Sequence, residues 1–275
     1  SISLGNTHQD GIISSTGMDR YNVKVSADTK LTSNWSSGFT ANYITTSIDK
    51  AVTSGNGLLR TVYAAPPSYD LAGIPSHVDG NPYTQNSFRG SFDNAYWAME
   101  NNKFTEDTNR FFGNVYASYQ TDFGTTNHKL NAKYMVGVDA YTTHYVDSYG
   151  YGSNTGGGRG QIENYGWTNA TYNSLLTINY DWRINEDWGL NAVLGNEIIQ
   201  SNRKKYYEYG TNYNFPGWNH INNATTQQTE EETWKNRTVG FFGNVSASYK
   251  NMLYLTLTGR PVSYTHLTLP TNSLV

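Results

Sequence analysis

Runs of strict polar–apolar alternation recur along this chain, and they meet in pairs at very short turns. Tyr21–Leu31 is followed by Trp35–Thr45, Phe111–Phe123 by His128–Tyr145, Tyr172–Trp182 by Trp188–Gln200, and Val239–Tyr249 by Leu253–Gly259. Ser1–Gly5 reads as the end of another such run, which implies that the chain begins mid-protein. The turns are built mainly from turn-favouring residues: Thr32-Ser33-Asn34, Gly124–Asn127, Arg183–Asp187 and Lys250-Asn251. On the other side the connections are long and polar, roughly 47–107, 146–165 and 202–235. In Tyr21–Leu31 the odd positions are apolar or aromatic, apart from Thr29, and the even ones polar. A period of two gives a strand one apolar and one wet face. Such faces suit a soluble sandwich or a lipid-embedded barrel with a watery lumen; short turns at one end and long loops at the other select the barrel.

The aromatic residues lead to the same fold. Trp35, Phe123, Trp182, Trp188 and Tyr249 sit beside the short turns, and Tyr21, Tyr43, Phe111, Tyr172 and Phe241 lie at the far ends of the runs. Within one run the two sets are 8 residues apart (Trp35 to Tyr43, Phe241 to Tyr249), 10 (Tyr172 to Trp182) or 12 (Phe111 to Phe123). At ~3.3 Å per residue and a tilt near 40°, the sets are roughly 20–30 Å apart, which brackets the ~25 Å band between the girdles of an outer-membrane barrel. The expected fold is therefore all-β: a partial transmembrane antiparallel barrel with short periplasmic turns and long extracellular loops. Its expected location is the bacterial outer membrane, with outer-membrane lipid as a partner. Mean hydropathy is -0.63, and no run approaches a helical membrane span. A net charge of -3 with no basic face argues against nucleic acid, and the absence of cysteine excludes disulfides and thiolate metal sites.

No catalytic constellation is present, and neither enzymatic activity nor a cofactor is expected. His8, His77, His128, His144 and His220 have no metal-ligand spacing. The glycine-rich run 150–158 lacks the lysine and helix of a phosphate cradle and reads as a flexible outer loop. Glu230-Glu231-Glu232 reads as a solvated loop face, with calcium binding as the rival. The loop aromatics Tyr83, Tyr96, Trp97, Trp167, Tyr213 and Trp218 are the candidate ligand or partner contacts, because flat aromatic faces stack on sugar rings; the competing role is packing the loops together.

Three segments carry a family likeness. Asp19-Arg20-Tyr21-Asn22-Val23-Lys24-Val25 is one, followed by a strand near Trp35. Asn94–Phe104 leading into Arg110–Val115 is the second, and Arg237–Val245 running into Leu253–Arg260 is the third. As a set they resemble the barrel of SusC/RagA-type, TonB-dependent outer-membrane transporters, over about residues 1–260. The resemblance implies a 22-stranded barrel around a plug, a SusD-like surface lipoprotein partner, and import of glycans or peptides energised by the TonB complex. This chain would supply about nine or ten of those strands. The plug and TonB-contacting regions are not among them, so no transport is expected of the segment alone. A passive porin or structural barrel, and a soluble carbohydrate-binding β domain, are the alternatives. Residues 261–275 form a second unit: Pro261–Thr271 resembles one reading frame of a transposase-type sequencing adapter, which implies a non-native tail.

Overall fold

A computed structural model describes residues 1–52 and 57–268. Its strands are β1 (Ile2–Asp10), β2 (Gly17–Lys30), β3 (Trp35–Lys50), β4 (His77–Val78), β5 (Asn81–Gln85), β6 (Lys103–Thr121), β7 (His128–Tyr149), β8 (Gln161–Arg183), β9 (Trp188–Tyr213), β10 (Ala224–Tyr249), β11 (Leu253–Gly259) and β12 (Val262–Thr268). Two helices, α1 (Leu58–Ala64) and α2 (Ala95–Asn101), lie between β3 and β6. One sheet of ten strands dominates, in the order β1-β2-β3-β6-β7-β8-β9-β10-β11, with β12 also on β10. β4 and β5 form a separate small pair. All the ladders are antiparallel, and among the described residues the sheet does not close on itself. It is a stretch of barrel wall.

The ladder registers give the tilt of the strands. From Trp35 the row of facing residues runs through Tyr119, Ala132, Ile178 and Leu194 to Gly243, five pairings away. The turn-side aromatic of β10 is Tyr249, six residues further on (249 − 243). From Tyr43 the row runs through Phe111, Ala140, Ala170 and Asn202 to Lys235, and the far-side aromatic Phe241 is again displaced by six (241 − 235). Both aromatic rows therefore slip together. Six residues are about 20 Å along a strand and five pairings about 24 Å across the sheet, so the rows stay level if the strands tilt by about 40°. That is the tilt of a closed barrel of this kind.

The two faces differ as the alternation requires. Nine of the ten girdle aromatics are exposed, as are Phe39, Val115, Val136 and Leu194 between them. Tyr249, the tenth, is half-buried against Trp188, with ring centroids 4.7 Å apart. The opposite, inner face is polar and internally bonded. Tyr116 donates to Asp28 (2.7 Å) beneath the Lys133 ammonium, Arg110 grips Asp139 through two bonds (2.8 and 2.6 Å), and Asn191 donates to Asn179 and Asp181 (2.8 and 2.6 Å).

The long connections are shorter than the sequence predicts. β3 reaches Lys50, β6 begins at Lys103, β7 and β8 close to 150–160, and β9 and β10 to 214–223. The ladders continue well past the upper aromatic row, where water wets both faces and nothing enforces alternation. Glu230–Glu232 accordingly lie on β10 rather than in a loop. The tail, expected to be non-native, continues the edge as β12: Val262 pairs with Gly240, and the register runs on to Thr268 opposite Trp234. Residues 269–275 lie outside the described residues.

Candidate ligand-contact surface

Nearly all the fully buried side chains lie not in the barrel wall but in a cap on its long-loop end. Trp97 is completely buried, Phe92, Ala95 and Ala98 nearly so, and Asp93, Asn94, Ser153, Tyr213 and Asn223 join them. The sequence builds this cap around side-chain acceptors. Asn94 caps α2, its Oδ1 accepting from the backbone N–H groups of Tyr96 (3.0 Å) and Trp97 (3.2 Å). Asp93 accepts from Gln85 (2.8 Å), from the Ser153 hydroxyl (2.5 Å) and from both the backbone and the side chain of Asn154 (2.7 and 2.8 Å). One buried carboxylate thus ties β5, the α2 entry and the 150–160 turn together. The glycine-rich run 150–158 is therefore a bonded turn rather than a flexible loop. Gly152 holds φ +101° there, and a Cβ would collide with the Tyr83 carbonyl. Gly152→Ala is expected to loosen this turn by about 1–3 kcal/mol, seen as faster amide exchange over 150–160 with the sheet unchanged.

The candidate contacts scatter over this cap and the wall below it. Trp97 has no free face: it is enclosed, and its Nε1–H donates to the Pro82 carbonyl at 2.8 Å. Tyr213 is likewise enclosed, packed with Ile162 and Ala224. Tyr83 is half-buried on β5, with its hydroxyl beside Gly217. Tyr96 is exposed on α2. Trp218 is exposed and lies between Phe215 and His220, with centroids at 5.8 and 5.0 Å. Of the six, only Trp167 stands in a larger aromatic array on the inner face.

That array is set by register. Glu106, Tyr145, Tyr165, Tyr207 and Glu230 face one another in a single row across β6 to β10, a line of three tyrosines with a carboxylate at each end. Tyr145 and Tyr165 stack with centroids 4.8 Å apart, Tyr207 follows at 6.4 Å, and Trp167 lies 5.5 Å from Tyr145. The Arg203 guanidinium covers Trp167 and Trp234, and the Lys50 ammonium lies 4.6 Å from the Tyr145 ring. Beside the row, Ile13, Lys50, Phe104, Asp147, Tyr149 and Tyr165 help line a cavity of about 560 Å³. The array offers flat aromatic faces edged by hydroxyls and carboxylates, which suits contact with a polar chain molecule. Sequence reasoning missed Tyr145, Tyr165 and Tyr207 as a group. The signal was the alternation of Tyr165 and Trp167 on β8 with Arg203 and Tyr207 on β9, but only register makes it a row.

These tyrosines lie beyond the upper girdle, and their surroundings keep them neutral. Burial first, then the charge of Glu163, pushes the Tyr207 hydroxyl up to about 12; burial with Asp147 raises Tyr165, and burial with Glu106 raises Tyr145. A folded-state value above the unfolded one, ~10, gives stability that is complete below pH ~10 and is lost as pH rises through about 12. Tyr207→Phe cannot ionise, so its alkaline unfolding midpoint, followed by circular dichroism, is expected to move to higher pH.

A tilted antiparallel wall with aromatic girdles outside, polar networks inside and a packed cap at one end defines the class: a segment of the wall of a large transmembrane β-barrel. Known structures place it further. A chain of the RagAB peptide importer in its open-open state matches 96% of this chain with a TM-score of 0.75 at 14% identity, over 29% of its own length. A chain of the same importer in its closed-closed state matches equally well in fold at 15% identity, over 30% of its length. This chain therefore spans under a third of the proteins whose fold it shares. No family model and no curated protein sequence matches it.

Proposed function

We propose that the chain is part of the barrel of a SusC/RagA-type importer of the bacterial outer membrane, which carries peptides or glycans inward on energy from the TonB complex and works with a SusD-like surface lipoprotein. The observation that carries this reading is the fold likeness over 96% of the chain to an importer of peptides. The three family-like sequence segments support it independently. The inner row of Tyr145, Tyr165 and Tyr207, with Trp167, is the surface the substrate would meet. Tyr83, Tyr96 and Trp218 remain contacts for substrate or lipoprotein at the cap, whereas enclosed Trp97 and Tyr213 would support it from within.

The test is the native locus. Reading the gene across both ends of this frame is expected to find a plug-encoding region upstream, further strands beyond Arg260 in place of the adapter-like tail, and a lipoprotein gene beside it. A complete gene with a signal peptide and no plug would overturn the importer in favour of a passive porin, since porins have no separate plug.

A further inference from the structure

The cavity beside the tyrosine row draws its walls from distant parts of the chain. Ile13, in the turn between β1 and β2, lines one side, and Phe104, Tyr149 and Tyr165, on β6, β7 and β8, line another. Lys50 and Asp147 are its charged lining residues. Register sets these two apart: Lys50, Phe104, Asp147, Glu163, Tyr209 and Gln228 form the row directly above the tyrosines. Asp147 and Glu163 therefore face each other across the β7–β8 ladder, where like charges with Cβ atoms about 4.5–5.5 Å apart repel. Glu163 accepts from the Gln161 amide (3.0 Å) and from the Tyr207 hydroxyl. Asp147 accepts from the Tyr165 hydroxyl through Oδ2 at 3.0 Å, while its Oδ1 has no hydrogen-bond partner among the described residues.

The protein's own cations do not match these carboxylates. Asp147, Glu163 and Glu230 have no ion-pair partner among the described residues. Lys50 is 3.5 Å from Glu106 and stands over the Tyr145 ring, and Lys205, two residues from Tyr207 on β9, faces Glu232. In the two rows together, Glu106, Asp147, Glu163 and Glu230 stand against Lys50 alone. A cation with N–H donors would relieve the repulsion, bond to Asp147 and lie against ring faces that attract positive charge. The rest of the lining selects its carrier. Ile13, Ala51, Val52 and Phe104 have no hydrogen-bonding side chain. They suit the alkyl stem of a basic side chain and would leave most hydroxyls of an amino sugar unpaired. A hard metal ion takes six or more oxygen ligands, which walls of this kind do not supply.

We propose that this cavity receives a basic side chain of a peptide substrate, with Asp147 as its acceptor and Glu163 as the second negative charge beside it. The site rests on the reading that the inner tyrosine row meets the substrate. The full-length protein of the native locus, in a neutral detergent, is titrated calorimetrically with a lysine-containing hexapeptide blocked at both ends. The same peptide acetylated on its lysine, a glucosamine trimer and calcium chloride are titrated beside it. The lysine peptide is expected to bind about tenfold more tightly than its acetylated form. Asp147→Asn keeps the side-chain shape and an acceptor for Tyr165, and is expected to weaken the lysine peptide about tenfold. Phe104→Leu removes one ring face and is expected to weaken it about threefold. Asp49→Asn, the same charge loss on the outer face of β3, is expected to leave binding unchanged. Equal binding of the two peptides, or none of either, overturns the site, as does undiminished binding in Asp147→Asn. A glucosamine trimer that binds more tightly than the lysine peptide overturns the peptide assignment, and calcium that displaces the peptide at equal concentration overturns it in favour of a metal site. The importer reading fails separately: a plug-encoding region with no preference for lysine keeps the importer and loses the site, whereas lysine binding without a plug keeps the site and loses the importer.

Discussion

Val115→Arg is expected to cost about 2–4 kcal/mol of barrel stability, because it places a charge in the middle of the apolar band. Val115 is 53% exposed on the outer face of β6, between Phe39 on β3 and Val136 on β7. In a water-soluble sheet an exposed valine is replaced at almost no cost, within about 0.5 kcal/mol. In a bilayer the arginine must carry water inward or pull its strand toward the headgroups. Folding yield into lipid vesicles, titrated with urea, measures the difference. Its neighbour Asn114 is also exposed but points to the inner face, so Asn114→Arg is expected to fold like the wild type. Equal stability of the two variants would sink the membrane-spanning reading.

Trp97→Ala is expected to cost about 3–5 kcal/mol, lost from the cap rather than from the barrel. The indole is fully buried and fills the space between α2, β5 and the 150–160 turn, and its removal also leaves the Pro82 carbonyl without its donor. Nothing nearby can collapse into so large a gap, because Asp93, Gln85 and Ser153 are held in place by their own bonds. Hydrogen exchange should therefore rise sharply over residues 81–102 and 150–160 while β7 to β9 stay protected. Tyr96, one position away and exposed, is the control: Tyr96→Ala is expected to leave exchange unchanged. Uniform protection in Trp97→Ala would refute a cap built on this residue.

The two variants probe two kinds of information. Val115 could be assigned to the outer face from the sequence because lipid on one side and water on the other impose a period of two, residue by residue. The outward direction of the ten aromatics follows from the same period of two, and nine of them are exposed. The glycine-rich run was misread as a flexible loop: its composition is that of a linker, and the carboxylate that fixes it, Asp93, lies some sixty residues away. The long loops were overestimated because β6 to β10 keep pairing where both faces are wet and no apolar stripe marks them.

The tyrosine row shows where sequence reasoning ends. Tyr145, Tyr165 and Tyr207 are each unremarkable in their own strands, and Glu106 and Glu230 more so. What aligns them is the register of four successive hairpins, and that register follows from the stagger of six residues over five pairings that tilts the whole wall. The sequence alone determined the alternating stretches of the strands, the face each turns outward and where the short turns lie, because those depend on local periodicity and turn chemistry. Only the tertiary structure decided which side chains share a row, which loop aromatics are entombed and which stay free, because register and burial are set by pairings between residues far apart in the chain.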